Sequence, residues 1–321
     1  MHPLVYAVIT RLKQTVLSID SPLLISFSGG PDSVFLLECL SHLPNPLILL
    51  YLDHQLRPIE ERRNEQDCVL SLAKKYQVRC VIKKMPLTCY ASTYSCSIET
   101  AGHSLRRKYR NHYAKLFKCD YIATGHHQDD QSETVFHQFI RGSRSLSGMA
   151  YCEKGLIKPL LFISKKDILE YLNTFKIAYS VDSTNADLLY TRNQLRHQVL
   201  PMIETLNPNY RETFSELALY GQEQALYFDS LLAPLKEKIV YTNTSIVLNK
   251  TFVLSMHSFI QKKLIHAMLE LTADTSTDKQ HTHKHVRAIA SQLNKKKGSV
   301  SLPNGSRCLI TESEIIITLP F

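Results

Sequence analysis

Apolar and polar positions come in alternating blocks along the first half of the chain. Residues 22–28, Pro-Leu-Leu-Ile-Ser-Phe-Ser, form a short apolar run and predict a buried strand. Residues 31–43 predict a helix, with Pro31 at an early helical position where its missing N–H costs little. A second apolar run covers 47–52, a charged amphipathic helix 60–76, and a third strand 78–82. Residues 97–117 predict a helix that is strongly basic on one face, 121–124 a fourth strand, and 130–140 a further helix. Strands that alternate with helices predict an α/β fold on a doubly wound parallel sheet. The ligand site of such a sheet lies at the carboxyl ends of its strands.

The pattern changes after residue 140. Residues 141–155 are rich in Gly and Ser and predict a loop. Ser164-Lys-Lys-Asp167 fits a helix-capping pattern ahead of Ile168 and Leu172. Residues 191–200 predict another helix, ended by Pro201, and a long helical stretch follows Asn207-Pro208 to about residue 239. This places a boundary between 211 and 212, with a larger α/β domain over 1–211 and a helical linker plus a second, smaller α+β domain over 212–321. Within that smaller domain a pair of helices mixes with short strands. Residues 299–302 and 307–311 flank Pro303-Asn304-Gly305-Ser306, a hairpin turn, and 314–319 form a last strand. Residues 274–279 predict a polar loop.

A chain of 321 residues suits two domains, and 44% hydrophobic with 21% charged residues is a globular composition. No apolar run reaches about 18 residues, so no membrane span is expected. The start, Met1-His-Pro-Leu-Val-Tyr6, lacks a basic region followed by an apolar core and is not expected to be a signal peptide, which points to the cytoplasm. The eight cysteines form no Cys-x-x-Cys pair, which argues against a zinc ribbon, an iron–sulfur site or a dithiol centre. A net charge of +9 favours a polyanionic partner, since Lys and Arg contacts release counterions from phosphates.

Two segments carry candidate chemistry. Ser28-Gly29-Gly30-Pro31-Asp32-Ser33 follows a strand and opens a helix, where a phosphate-binding loop belongs. Its glycines let backbone N–H groups approach an anion, and Ser28 and Ser33 add hydroxyl donors. It contains neither Gly-Lys-Ser/Thr nor Gly-x-Gly-x-x-Gly. Thr124-Gly-His-His-Gln-Asp-Asp-Gln-Ser-Glu-Thr134 begins where the fourth strand ends. Asp130 and Glu133 lie three apart and share a helix face, an arrangement that suits a substrate ammonium or Mg²⁺. The run Leu52-Asp53-His54-Gln-Leu-Arg57 follows the second strand and is placed to touch a nucleotide. Arg141 and Arg144 lie on a flexible basic loop, and Arg192 and Arg196 are four apart on one helical face, as phosphate binding would use them.

Ser-Gly-Gly-x-Asp-Ser resembles the signature of the N-type ATP pyrophosphatases of the PP-loop superfamily. The further segments 52–57, 124–149, Lys158-Pro-Leu-Leu161, 181–201 and Asn207-Pro208, taken in order, resemble the tRNA(Ile)-lysidine synthase family. The similarity is dense over the first two-thirds of the chain and loose beyond it, where Leu302-Pro-Asn-Gly305 is its main trace. One departure stands out. Where the family has Glu-x-x-Ala-Arg-x-x-Arg-Tyr, this chain has Glu99-Thr-Ala-Gly-His103-Ser-Leu-Arg106-Arg107.

The resemblance implies an adenine-nucleotide alpha hydrolase-like domain that uses ATP with Mg²⁺ travelling on its phosphates and no dedicated metal centre. It implies a ligase that adenylates C2 of the wobble cytidine in a CAU-anticodon tRNA(Ile), releases pyrophosphate, and lets the ε-amine of L-lysine displace AMP. ATP contacts are expected from Ser28, Gly29, Gly30, Pro31, Asp32, Ser33, Asp53, His54, Gly125 and His126. Asp130 and Glu133 are expected to hold the lysine, and Arg192 and Arg196 phosphate or the adenylated intermediate. The general base is one of Asp32, Asp130 and Glu133. Arg106, Arg107, Arg141, Arg144, Lys295 and Lys296 are the expected tRNA contacts.

Overall fold

The computed structural model describes residues 1–15, 21–143, 145–180, 194–272 and 283–319. The chain divides into two compact units, Met1–Gln222 and Glu223–Phe321. The first unit is built on a six-stranded sheet in the order β3-β2-β1-β4-β6-β5. These strands are β1 Leu23–Phe27, β2 Leu47–Asp53, β3 Arg79–Lys84, β4 Tyr121–Thr124, β5 Cys152–Glu153 and β6 Leu156–Ile157. All pair in parallel except β5, which runs antiparallel to β6. Leu23 pairs with Leu47 on one side and Tyr121 on the other, so β1 is central.

Both faces of the sheet are covered, and the two-residue period of a strand sorts its side chains between them. Leu23, Ile25 and Phe27 pack on one face with Leu49, Val69 and Ile168. Leu24, Leu50 and Ile122 pack on the other with Met85, Ala101 and Leu105. Every position of β2 is buried, which is why it reads as one unbroken apolar run. The helices are α1 Pro3–Thr15, α2 Pro31–Leu40, α3 Ile59–Lys75, α4 Leu87–Thr93, α5 Ile98–Leu116, α6 Gln128–Ile140 and α7 Lys165–Thr174. The first of these was not predicted. It buries Val5, Val8, Ile9 and Leu12, which recur at helical spacing along one stripe. The Ser164 hydroxyl caps α7 by accepting from the Asp167 N–H, as the sequence predicts.

The chain moves outward from β1 to β3, then returns to place β4 on the opposite side of β1. That reversal opens a crevice at the carboxyl ends of β1 and β4. The starts of α2 and α6 both face it, because each helix follows one of these strands directly.

Pro201 does not end a helix. A wide turn over Leu195–Val199 runs straight into a helix over Leu200–Leu206, and Pro201 lies in its first turn, where a proline loses no hydrogen bond. The long helix is Tyr210–Lys236. The compact units divide within it at 222/223 rather than at 211/212. Gln222 explains the difference, since its amide donates to the carbonyls of Ser147 at 2.7 Å and Met149 at 3.1 Å inside the first unit. Gly221 is equally committed: a Cβ there would come within 2.9 Å of the Leu146 backbone.

The second unit carries a five-stranded antiparallel sheet in the order β7-β8-β11-β10-β9. Its strands are β7 Val240–Tyr241, β8 Ser245–Asn249, β9 Gly298–Ser301, β10 Arg307–Ile310 and β11 Glu314–Thr318. Helices Ser258–Glu270 and His283–Ala290 pack Leu264, Met268, Val286 and Ile289 against Ile246, Ile315 and Ile317. The predicted turn forms at Pro303–Gly305, while the predicted polar loop over 274–279 lies outside the described residues. Among the described residues no helix is long and apolar enough to cross a membrane.

Leu49 is fully buried at the middle of β2. Leu49→Ala is expected to destabilise the first unit by about 2–5 kcal/mol, read as a shift of the denaturant midpoint.

Candidate active site at the carboxyl ends of β1 and β4

The loop between β1 and α2 is held by its own hydroxyls. The Ser33 hydroxyl donates to the Gly30 carbonyl at 2.9 Å, and the Ser28 N–H donates to Ser33 Oγ at 3.3 Å. The Gly30 N–H donates to Ser28 Oγ at 3.3 Å. Gly29 has φ of +80°, a conformation that favours glycine, and its carbonyl accepts from the Ser180 N–H at 2.8 Å. Helix α2 begins at Pro31 with no side-chain cap on its first turn. The uncapped amides at the start of this ten-residue helix, beside a glycine turn, can receive an anion such as a phosphate group. A cavity of about 350 Å³ is lined in part by Arg57, Glu65, Cys68, Tyr179 and Ser180, the last being the residue whose N–H donates to this loop.

Gly125 joins the loop to β4. A Cβ at this position would lie 3.0 Å from the Asp32 carbonyl carbon and 3.2 Å from the Ser33 nitrogen. The fit is tight, so the end of β4 rests closely on the start of α2.

Four carboxylates surround this contact, each with a cation. Asp32 forms an ion pair with Lys165, both about one-third exposed. The backbone N–H of Lys165 donates to Asp129 Oδ2 at 2.7 Å. Arg211 reaches the other Asp129 oxygen at 2.7 Å and Glu204 at 2.8 Å. Burial alone would raise the Asp129 pKa; His127, Arg211 and the Lys165 amide outweigh it and hold the carboxyl far below the usual range. Arg196 spans Asp130, at 3.0 Å, and Glu133. The two carboxylates do share one face of α6, and Arg196 bridges them there. The Glu133 side chain is only 2% exposed, against 38% for Arg196.

His127 lies among these groups and is buried. Its Nε2 is 3.5 Å from Asp130 Oδ2 and 3.8 Å from Asp32 Oδ1, and its Nδ1 is 3.5 Å from Asp129 Oδ2. Nδ1 makes no hydrogen bond. Burial would lower the imidazole pKa, but the carboxylates of Asp129, Asp130 and Asp32 hold it above its ordinary value. The His127 backbone is fixed, since its N–H donates to Asp130 Oδ2 at 3.1 Å.

Of the expected site residues, Ser28, Gly29, Gly30, Pro31, Asp32, Ser33, Gly125, His126, Asp130, Glu133 and Arg196 come together here. His126 is half-buried, with Nδ1 2.9 Å from Thr124 Oγ1. Asp53 lies elsewhere in character: it is 1% exposed and accepts both prongs of Arg62, at 3.0 and 2.8 Å, with the Gln55 N–H and the Gln66 amide. Its carboxylate is spent on the turn after β2, and its neighbour His54 is half-buried. Arg106 is half-buried and Arg107 exposed on α5, Arg141 is exposed, and Lys295 and Lys296 are exposed in the second unit. His103, in the place of the family's arginine, is exposed; partial burial and then Arg106 and Arg110 lower its pKa. Arg144 and Arg192 lie outside the described residues. Sequence reasoning missed Lys165, read only as part of a cap, and also Arg211, Arg62 and His127. For Lys165 and Arg211 no local pattern names the partner.

Known proteins share this architecture. A family described as the PP-loop domain matches residues 5–203. Curated proteins named tRNA(Ile)-lysidine synthase are similar in sequence. One from Bacillus cereus is 31% identical over 235 residues, covering 70% of this chain and 49% of its own length. That of Parabacteroides distasonis is 36% identical over 231 residues, covering 71% and 52%. That of Francisella philomiragia is 29% identical over 295 residues, covering 85% and 68%. The chain thus spans about half the length of the Bacillus and Parabacteroides proteins. Among solved structures, the U34-tRNA thiolase NcsA of Methanococcus maripaludis aligns with a TM-score of 0.57 at 20% identity, over 68% of this chain and 77% of that one, a likeness of fold. The family match takes in well over half of the residues, and the crevice it covers is the one assembled above: the chain belongs to the PP-loop domain family of ATP pyrophosphatases.

Proposed function

We propose that this chain ligates L-lysine to C2 of the wobble cytidine in a CAU-anticodon tRNA(Ile), using ATP and releasing pyrophosphate and AMP. The observation that carries this reading is the joining, through Gly125, of a phosphate loop to a cluster of carboxylates and guanidinium groups. One end of the crevice suits a triphosphate. The other suits a small cationic nucleophile and the charge that develops as a base is adenylated. The names of the similar proteins supply the substrate.

The uncapped start of α2 and the Gly29–Gly30 amides take the phosphates. Mg²⁺ supplies charge neutralisation on the phosphates when bound, with no dedicated protein ligand set. Asp32 faces the same phosphates with Lys165 at its side. Arg196 stabilises charge at the reacting base. Glu133, almost sealed from solvent, serves as the anchor of Arg196, and the more accessible Asp130 shares its charge between Arg196 and the incoming lysine. Asp53 shapes the turn after β2 and leaves nucleotide contact to its neighbours. Arg106, Arg107, Arg141, Lys295 and Lys296 grip the tRNA backbone, as exposed or half-exposed cations do. The protein works in the cytoplasm, where its tRNA is.

Labelled lysine is expected to enter a tRNA pool containing the CAU-anticodon isoleucine species. The label should require ATP, resist alkaline deacylation, and fall by about 100-fold or more in Asp32→Ala. Absence of deacylation-resistant label sinks the proposal. Pyrophosphate release with other nucleophiles would then be the next assay.

Arg196 forks across two carboxylates, a geometry that an ammonium cannot reproduce. Arg196→Lys is therefore expected to cost on the order of 100-fold in kcat, with a change of only a few degrees in Tm. Wild-type kcat in Arg196→Lys would remove the guanidinium from the mechanism.

A further inference from the structure

The proposed reaction needs a proton acceptor, because a lysine ε-ammonium must lose a proton before it can attack. The three acidic candidates are each committed to a cation: Asp32 to Lys165, and Asp130 and Glu133 to Arg196. At their centre lies the buried His127 imidazole, whose Nε2 stands 3.5 Å from Asp130 Oδ2 and 3.8 Å from Asp32 Oδ1 and whose Nδ1 makes no hydrogen bond. Resting on the proposed function, we infer that His127 accepts the proton of the attacking amine, received through the carboxylates of Asp32 or Asp130.

The geometry sets the direction of transfer. Asp129 lies 3.5 Å from Nδ1 and is itself fixed by Arg211 and the Lys165 amide, which commits it to that side of the ring. Nε2 is the acceptor, since it is the nitrogen that faces the two carboxylates through which the proton arrives, Asp130 at 3.5 Å and Asp32 at 3.8 Å. Both carboxylates are more accessible than the ring and can pass a proton inward. In the step itself, an N–H bond of the ammonium breaks and its proton moves by way of a carboxylate to Nε2. The freed pair forms the N–C2 bond. The C2–O bond to the adenylate breaks, its electron pair leaves on AMP, and the second proton shed by the nitrogen goes to water. Among the described residues, the charged groups facing the ring are Asp32 from α2 and Asp129 and Asp130 from α6. Lys165, Arg196 and Arg211 stand behind these carboxylates, so the ring sits in a negative field moderated by three cations.

Hydroxylamine separates this role from a structural one, since it is largely uncharged at neutral pH and needs no base. Pyrophosphate release reports adenylation, and AMP release reports transfer. His127→Gln is expected to lower lysine-dependent AMP release, relative to pyrophosphate release, by about 100-fold at neutral pH, and hydroxylamine-dependent release by less than about tenfold. Equal deficits with the two nucleophiles overturn the inference.

The wild-type protein gives a test without any substitution. The neutral ring is the acceptor, so lysine-dependent AMP release falls as pH drops through a pKa held above the ordinary 6.5, while hydroxylamine-dependent release does not show that ionisation. A lysine profile lacking it overturns the inference. In the protein alone, the imidazole resonance absent from His127→Gln should titrate above the ordinary histidine value, and one at or below it also overturns the inference. No tRNA-dependent pyrophosphate release from the wild type would overturn the parent reading and this one with it. Pyrophosphate release without the predicted lysine–hydroxylamine contrast would overturn this one alone.

Discussion

Buried charge has to be neutralised where it sits, and this constraint organises the crevice. Asp32, Asp129, Asp130 and Glu133 crowd the ends of two neighbouring strands, where Glu133 is almost sealed from water, Asp129 and Asp130 are largely so, and Asp32 keeps about a third of its side chain exposed. Each is matched by a cation delivered from a different region of the chain. Lys165 comes from the start of α7, Arg196 from the wide turn at Leu195–Val199, and Arg211 from the first turn of Tyr210–Lys236. The ion pairs therefore tie the crevice together. They fasten three later segments onto the rim of the sheet, and removing Arg196 would take the cation from a Glu133 side chain that is only 2% exposed.

Much of this was legible in the sequence, and the reasons are local. A strand buried on both faces reads as an apolar run, a helix start reads through its cap, and a glycine pair after a strand reads as a place for an anion. Ser28 to Ser33, the Ser164 cap and the shared face of Asp130 and Glu133 are all of this kind. The partners were not legible, because they are far apart in the chain. Lys165 meets Asp32 across 133 residues and Arg211 meets Asp129 across 82, and no periodicity encodes such a meeting. Asp53 shows the converse problem. A polar residue at the end of a strand looks the same whether it faces a ligand or is enclosed by an arginine nine residues on. Pro201 misled for a related reason: a proline marks a helix boundary, but only the tertiary path says on which side of it the helix lies.

The site is also prepared before any substrate arrives. Arg196 is already bridged, Asp129 is already gripped from two sides, and the loop of Ser28 to Ser33 is already closed on its own hydroxyls. Groups held in this way need little rearrangement as charge moves, which is where a polar site gains over water.

Gly125 has a consequence at the level of the gene. Its α-carbon faces the start of α2 so closely that a β-carbon would lie 3.0–3.2 Å from the backbone of Asp32 and Ser33. Every missense change reachable from a glycine codon by one nucleotide adds at least a β-carbon. Each of them would ask the start of α2 or the end of β4 to give by a few tenths of an ångström. The position is thus resistant to stepwise drift: a lineage that alters it must at the same step adjust the spacing between the two halves of the crevice.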